Sequence, residues 1–273
     1  APRENDTLES IINTTYPFVT DHEKIEDCID ELVDYAEDSI PVLSETKELL
    51  GVITAQDVVE AVDDEMGEDY AKLAGLTDEE DLRETTKESM KKRLPWLIIL
   101  LFLGMGVSSV VGAFEAVVAV LPIVMCFQSL ILDMAGNVGT QSLAVTIRVL
   151  MDENLTGKQK LHLVWKEMKV GFVNGLLLGS LAFVFIGIYI ACFKHNAWLQ
   201  AFLISGCVGV SLMVAMVISS LVGTLIPIFF HKIKIDPAVA SGPLITTVND
   251  LVAVVTYYGL AWLFLIQIMQ IVS

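Results

Sequence analysis

The chain has 273 residues, of which 54% are hydrophobic, with a mean hydropathy of +0.62 and a formal net charge of −17. It is too apolar for an ordinary soluble domain. Its acidic balance disfavours nucleic acid as a partner, because an acidic face repels phosphate. The charge is unevenly placed: residues 1–93 hold 27 Asp/Glu against 9 Lys/Arg, a net of −18, whereas residues 94–273 hold 7 against 8, a net of +1. An acidic aqueous part therefore precedes a membrane part. The four cysteines, Cys28, Cys126, Cys192 and Cys207, show no paired spacing. Neither a disulfide framework nor a zinc site is expected. The chain begins at Ala1 without a recognisable signal peptide and reads as a fragment of a longer protein.

The aqueous part comes first in chain order. Ile25, Cys28, Ile29, Leu32 and Val33 recur at helical spacing, so a helix is expected over Ile25–Ala36. Short apolar runs at Ile40–Leu43 and Leu49–Thr54 flank a polar turn and predict two strands, followed by an amphipathic helix from Gln56. Asp63–Arg93 reads as a helix, a break near Gly75-Leu-Thr77, and a second helix begun by the acids Asp78–Asp81. Asp63, Asp64, Glu65, Glu68 and Asp69 crowd into seven residues, and Glu65 shares a helix face with Glu68 and Asp69. Like charges there need neutralising, by solvent and salt or by a hard divalent cation.

Five spans follow, at about 94–113, 117–149, 165–193, 197–229 and 236–270, each with about the 20 apolar residues a bilayer requires. Lys91, Lys92 and Arg93 precede the first, basic residues from Arg148 to Lys169 fill the second connection, and Lys232 and Lys234 lie in the fourth. This distribution places the N-terminus in the cytosol and the C-terminus outside, in a multi-pass protein of the plasma membrane. Pro237–Ser273 as one helix would be about 55 Å long against a core of about 30 Å. Gly242-Pro243 is the expected break, and Asp236-Pro237 reads as an N-cap followed by proline at the first helical position.

Ionisable and amide groups inside a bilayer are costly and mark ion or substrate paths. Asp236, at the mouth of the fifth span, is the leading candidate, and Asp250 is a second acid midway along it. The second span carries Gly136-Asn-Val-Gly-Thr-Gln-Ser142. Asn137, between glycines, suits either a pore or close packing, while Thr140 and Ser142 suit hydrogen bonds between helices. Asp133 either pairs with a base or faces a pore. Glu167, among Lys166 and Lys169, is a boundary residue or a guard at the cytosolic mouth.

Residues 8–62, through Gly51-Val-Ile-Thr54-Ala-Gln-Asp57, resemble a CBS domain, which implies contact of Thr54 and Asp57 with an adenine nucleotide such as ATP. The alternative is that both residues cap the following helix. A CBS domain, an acidic connecting helix, five spans, Gly-Asn-Val-Gly-Thr-Gln in the second and Asp-Pro-Ala opening the fifth together resemble the MgtE magnesium channels. The fold implied is mostly α: a CBS domain over 1–62, an acidic connecting (plug) helix over 63–93, and a five-helix pore domain over 94–273. The resemblance implies a homodimer in membrane lipid with one pore between subunits, lined by the second and fifth spans. It implies selectivity at Asp236, with Asn137, Ala240, Asp250 and Glu167 as further pore or metal residues. It also implies cytosolic Mg2+ bound at Glu65, Glu68 and Asp69 to hold the gate closed.

Mg2+ keeps its waters, so paired carboxylates and a few amide or carbonyl oxygens suffice to hold it. The alternatives are a CBS-regulated transporter or sensor for another divalent cation, or a carrier of an osmolyte held by an aromatic cage from Tyr257, Tyr258 and Trp262. An enzyme is disfavoured, since no histidine lies within a span beside a Ser or Cys nucleophile.

Overall fold

The computed structural model describes residues 18–23, 39–78, 82–152, 155–194, 196–239 and 242–268. The expected helix Ile25–Ala36 and Ala240 lie outside them. The chain divides into two compact units, Ala1–Asp69 and Tyr70–Ser273.

In the first unit a three-stranded sheet is ordered β1 (Val19–Thr20), β2 (Ser39–Leu43), β3 (Leu49–Thr54). β1 runs parallel to β2, and β2 pairs antiparallel with β3 through Ile40 opposite Ile53. Val19 and Ile40 are buried against Val42, Ile53 and Val58. The hairpin turn is closed by Ser44 N–H on the Glu48 carbonyl, and Lys47 adopts φ 62° within it. Helix α1 (Ala55–Leu73) follows β3 directly. It continues without a break through the expected boundary at residue 62, so the helix that ends the CBS-like region and the acidic connecting helix are one element. No glycine or proline interrupts residues 55–66, so nothing in the sequence stops the helix at residue 62.

Among the described residues, the second unit contains five helices long and apolar enough to cross a membrane. After α1 the chain turns at Gly75, whose φ of 84° is natural only for glycine. A side chain there would also strike Trp96. Helix α2 (Thr86–Ala113) begins at Thr86, later than Asp78–Asp81 led one to expect. Its start is fixed by the Glu88 carboxylate, which accepts from the N–H and hydroxyl of Thr85. The helix runs through Pro95 and buries none of its residues in this chain. The short α3 (Glu115–Val120) and a 3-10 turn (Pro122–Val124) precede α4 (Met125–Asp152). The second span is therefore shorter than expected from 117–149, because Pro122 opens a new element.

Helix α5 (Gly157–Phe193) and helix α6 (Trp198–Lys232) are antiparallel neighbours, and α6 sits in the middle of the bundle against α4, α5 and α7. Glycines set the α5–α6 spacing. A side chain at Gly179 would lie 2.6 Å from the Gly209 carbonyl oxygen, and one at Gly175 would lie 3.0 Å from the Met213 Cα. Close backbone approach at small residues is how membrane helices gain dispersion contacts where lipid removes the hydrophobic drive. The fifth span opens with a 3-10 turn (Pro237–Val239), and α7 (Gly242–Leu260) continues as a wider π turn to Ile268. Gly242-Pro243 thus starts the helix instead of breaking it, and the irregular backbone lies before it. The core centres on Ile131, Ile204, Val208, Val254, Tyr257 and Tyr258.

Candidate functional site

Helix α4 has two faces. Ile131, Ala135, Val138, Ser142, Leu143 and Ile147 are buried, whereas Asp133, Asn137, Gln141, Ala144 and Arg148 are exposed. The exposed positions recur at intervals of three and four, so they form one stripe along a membrane-length helix. Four of the five carry polar groups. The Asn137 amide donates to the Asp133 carbonyl oxygen at 2.9 Å, which leaves its own oxygen at the surface.

The buried side of α4 meets α7 and α6 at glycines. Gly136 lies against Thr246, and Gly139 against Asn249. A side chain at Gly223 of α6 would collide with the Gly139 carbonyl. Asn249 is completely buried, and neither of its amide atoms has a hydrogen-bond partner among the described residues. Asp250, the next residue, is half-buried. Thr140, Thr246 and Thr247 each donate to carbonyls of their own helix, so their hydroxyls are satisfied locally. Thr140 therefore does not bond between helices, whereas Ser142 does.

Asp236 sits just before the turn that opens the fifth span. Its Oδ1 accepts from the Ala238 N–H at 2.8 Å, which caps that turn as expected. Its Oδ2 accepts from Lys72 Nζ at 2.9 Å. Lys72 and Leu73 belong to the second unit, within which they meet the first turn of the last span, the Leu73 carbonyl facing Gly242. Both side chains of the pair are about one-third exposed, at 30% and 38%. A pair so exposed contributes about 1 kcal/mol or less.

Glu167 is 5% exposed and the only charged side chain fully buried among the described residues. It faces α4 and α6, not the exposed stripe: its Oε2 accepts from Ser142 Oγ at 3.0 Å.

In the first unit, Asp57 Oδ2 accepts from both the N–H and the hydroxyl of Thr54 at 2.7 Å, and the Asp57 N–H returns to Thr54 Oγ1 at 3.3 Å. These bonds hold the Asp57 carboxyl below the usual carboxylate range. The two residues cap α1. Glu65, Glu68 and Asp69 all lie on α1, Glu68 exposed and Asp69 half-buried. Among the described residues no three His, Cys, Asp or Glu side chains converge as a preformed metal site. Tyr257 and Tyr258 do not form a cage: both are buried, and their hydroxyls donate to the Val124 carbonyl and to Gln128.

Sequence reasoning singled out Asn137 and both acids of the last span. It missed Ser220, Gly223 and Asn249, whose only signal is a small or polar residue in an apolar run.

Five membrane-length helices, a polar stripe on one of them and an acid at the head of the last define a multi-pass membrane protein with a hydrophilic intramembrane face. Residues 128–260 match the family model MgtE, described as divalent cation transporter, and residues 8–64 match the CBS domain model. The chain is 37% identical over 96% of its length to the magnesium transporter MgtE of Enterococcus faecalis, covering 56% of that protein. It is 38% identical over 83% of its length to the magnesium transporter MgtE of Bacillus subtilis, covering 48% of it. For that of Thermus thermophilus the identity is 30% over 94% of this chain and 56% of the relative. The chain is similar to MgtE proteins along nearly all of its length, and it spans about half the length of the curated relatives it matches.

Proposed function

We propose that the protein conducts Mg2+ across the membrane into the cytosol, as a channel formed by two copies of the chain. The observation that carries this reading is the polar stripe of α4. Lipid cannot hydrogen-bond Asp133, Asn137 and Gln141, and an exposed carboxylate at membrane depth is costly. A second copy related by a two-fold axis would set this stripe against its own image and enclose an aqueous path. The relatives' name, magnesium transporter, supports Mg2+ as the cargo.

Oxygen ligands of this kind suit a hydrated hard cation. Asp236 supplies charge ahead of the turn that opens the fifth span, Asp250 supplies it midway along α7, and Asn137 supplies an amide oxygen. Ala240, outside the described residues, would add a carbonyl oxygen. Cytosolic Mg2+ at Glu65, Glu68 and Asp69 stabilises the closed state, and the Lys72–Asp236 pair ties the same helix to the last span. The N-terminus is cytosolic and the C-terminus external. A nucleotide at Thr54 and Asp57 would have to displace the cap those residues form.

The test is Mg2+ flux into proteoliposomes, comparing the unaltered protein with Asp236→Ala at low and high Mg2+ on the cytosolic face. Loss of flux in the variant, with dimerisation retained, and suppression by cytosolic Mg2+ are expected. Undiminished flux in Asp236→Ala removes that carboxylate from the path, and no flux in either protein favours a sensor.

A further inference from the structure

The hydrogen bonds around Glu167 join three helices in a closed circuit. Glu167 Oε2 on α5 accepts from Ser142 Oγ on α4 at 3.0 Å. Ser142 Oγ lies 2.9 Å from Ser220 Oγ on α6. Ser220 Oγ in turn donates to the backbone carbonyl of Glu167 at 2.7 Å. One turn further along α5, a side chain at Gly171 would lie 2.8 Å from Ser220 Cβ, so α5 and α6 are pressed together beside the circuit. By contrast α4 and α5 touch little directly, because α6 lies against both. The carboxylate of Glu167 is thus the group through which α5 holds α4.

The hold acts on rotation. Ser142 is five residues from Asn137, which places it about 140° around a helix of 3.6 residues per turn. A bond that draws Ser142 inward therefore turns Asn137 and Gln141 outward. Apolar packing alone specifies this rotation weakly, since Ala144 and Val145 are as acceptable to lipid as to a core. A buried polar circuit specifies it strongly, because any other rotation strands its members.

We infer that Glu167 is a positioning residue: it fixes the rotation of α4 that presents Asn137 and Gln141 on the exposed stripe, and does not itself line the path. The relevance to transport rests on the proposed role of that stripe. Within the circuit two hydroxyl protons serve three contacts, so the carboxamide of glutamine could take the place of Glu167 and supply a third proton. Alanine would remove the acceptor that draws Ser142 towards α5 and leave it only the Ser220 hydroxyl, whose own proton is turned to the backbone carbonyl of residue 167. The close approach of α4 and α6 at Gly139 and Gly223 still joins the two helices, so the bundle should assemble while the rotation of α4 loosens.

The experiment uses protein in which Cys28, Cys126, Cys192 and Cys207 are replaced by serine or alanine and a single cysteine is placed at position 137 or 138. Labelling rates with a water-soluble thiol reagent are measured in vesicles, and Mg2+ flux is measured separately in the cysteine-free protein that keeps Asn137 and Val138, with and without each Glu167 substitution. With Glu167 present, position 137 labels and the buried position 138 does not. The ratio of the two rates should fall at least about fivefold in Glu167→Ala, the size of a modest population shift, and be retained in Glu167→Gln. An unchanged ratio in an assembled Glu167→Ala protein overturns the inference, as does an equal fall in both variants. A fall in the ratio with flux unaltered supports the positioning of α4 and overturns the path reading instead.

Discussion

Helices α2 and α4 are both long, apolar and broadly exposed in a single chain, yet their exposed faces differ in kind. On α2 the exposed residues are Leu94, Leu97, Ile98, Leu101 and Phe102, the last two at 63% and 66%. On α4 the exposed polar residues Asp133, Asn137, Gln141 and Arg148 form a stripe beside exposed apolar ones such as Leu130 and Val145. Lipid satisfies the first face at no cost, because acyl chains are as apolar as leucine. It cannot satisfy the second. Exposure in an isolated membrane chain therefore has two meanings, and chemistry at helical spacing separates them.

The contrast breaks most severely if α4 loses its seat. Gly223→Val would drive a side chain into the Gly139 carbonyl, which no rotamer avoids. Overpacking of this kind costs about 3 kcal/mol. Sharply reduced monodisperse protein by size exclusion is expected, and a normal yield and melting temperature would show that α4 and α6 have room to separate. Regulation should move less. Replacing Glu65, Glu68 and Asp69 together by Gln, Gln and Asn should raise the cytosolic Mg2+ needed for half-inhibition by about tenfold, a coupling of roughly 1.4 kcal/mol. An unchanged inhibition curve returns those acids to a solvated face.

The smallest effect concerns the Thr54–Asp57 cap, where bonds to the carboxylate hold the Asp57 carboxyl below its ordinary value of 3.8. A depressed folded-state value means that its contribution is present above that ordinary value and is lost as pH falls through the lower, folded one. Acid unfolding of the first unit should therefore begin at higher pH in Asp57→Ala, and identical acid midpoints would show the cap to be idle.

Much of this was legible in the sequence. The two long strands, the five spans and the N-cap at Asp236 follow from period, length and the Asp-Pro pair. Helix boundaries were less so. Residues 55–73 carry no breaker that would separate two elements at residue 62, and Thr85 with Glu88 outcompeted Asp78–Asp81 as a helix start. At the candidate site, Asn137 announced itself by an amide between glycines. Glu167 was visible as a charge but not as a tie, because its partners Ser142 and Ser220 are 25 and 53 residues away along the chain. Tertiary packing alone brings them together, as it does Asn249 and Gly139.

The central claim is that the polar stripe of α4 lines the Mg2+ path while the apolar face of α2 meets lipid. The most direct test is Mg2+ flux in proteoliposomes for Asn137→Leu beside Leu101→Ala, each matched for dimer content. The account predicts that Asn137→Leu lowers flux at least about tenfold, a barrier increase of roughly 1.4 kcal/mol, and that Leu101→Ala leaves it unchanged. Equal flux in the two variants would contradict it.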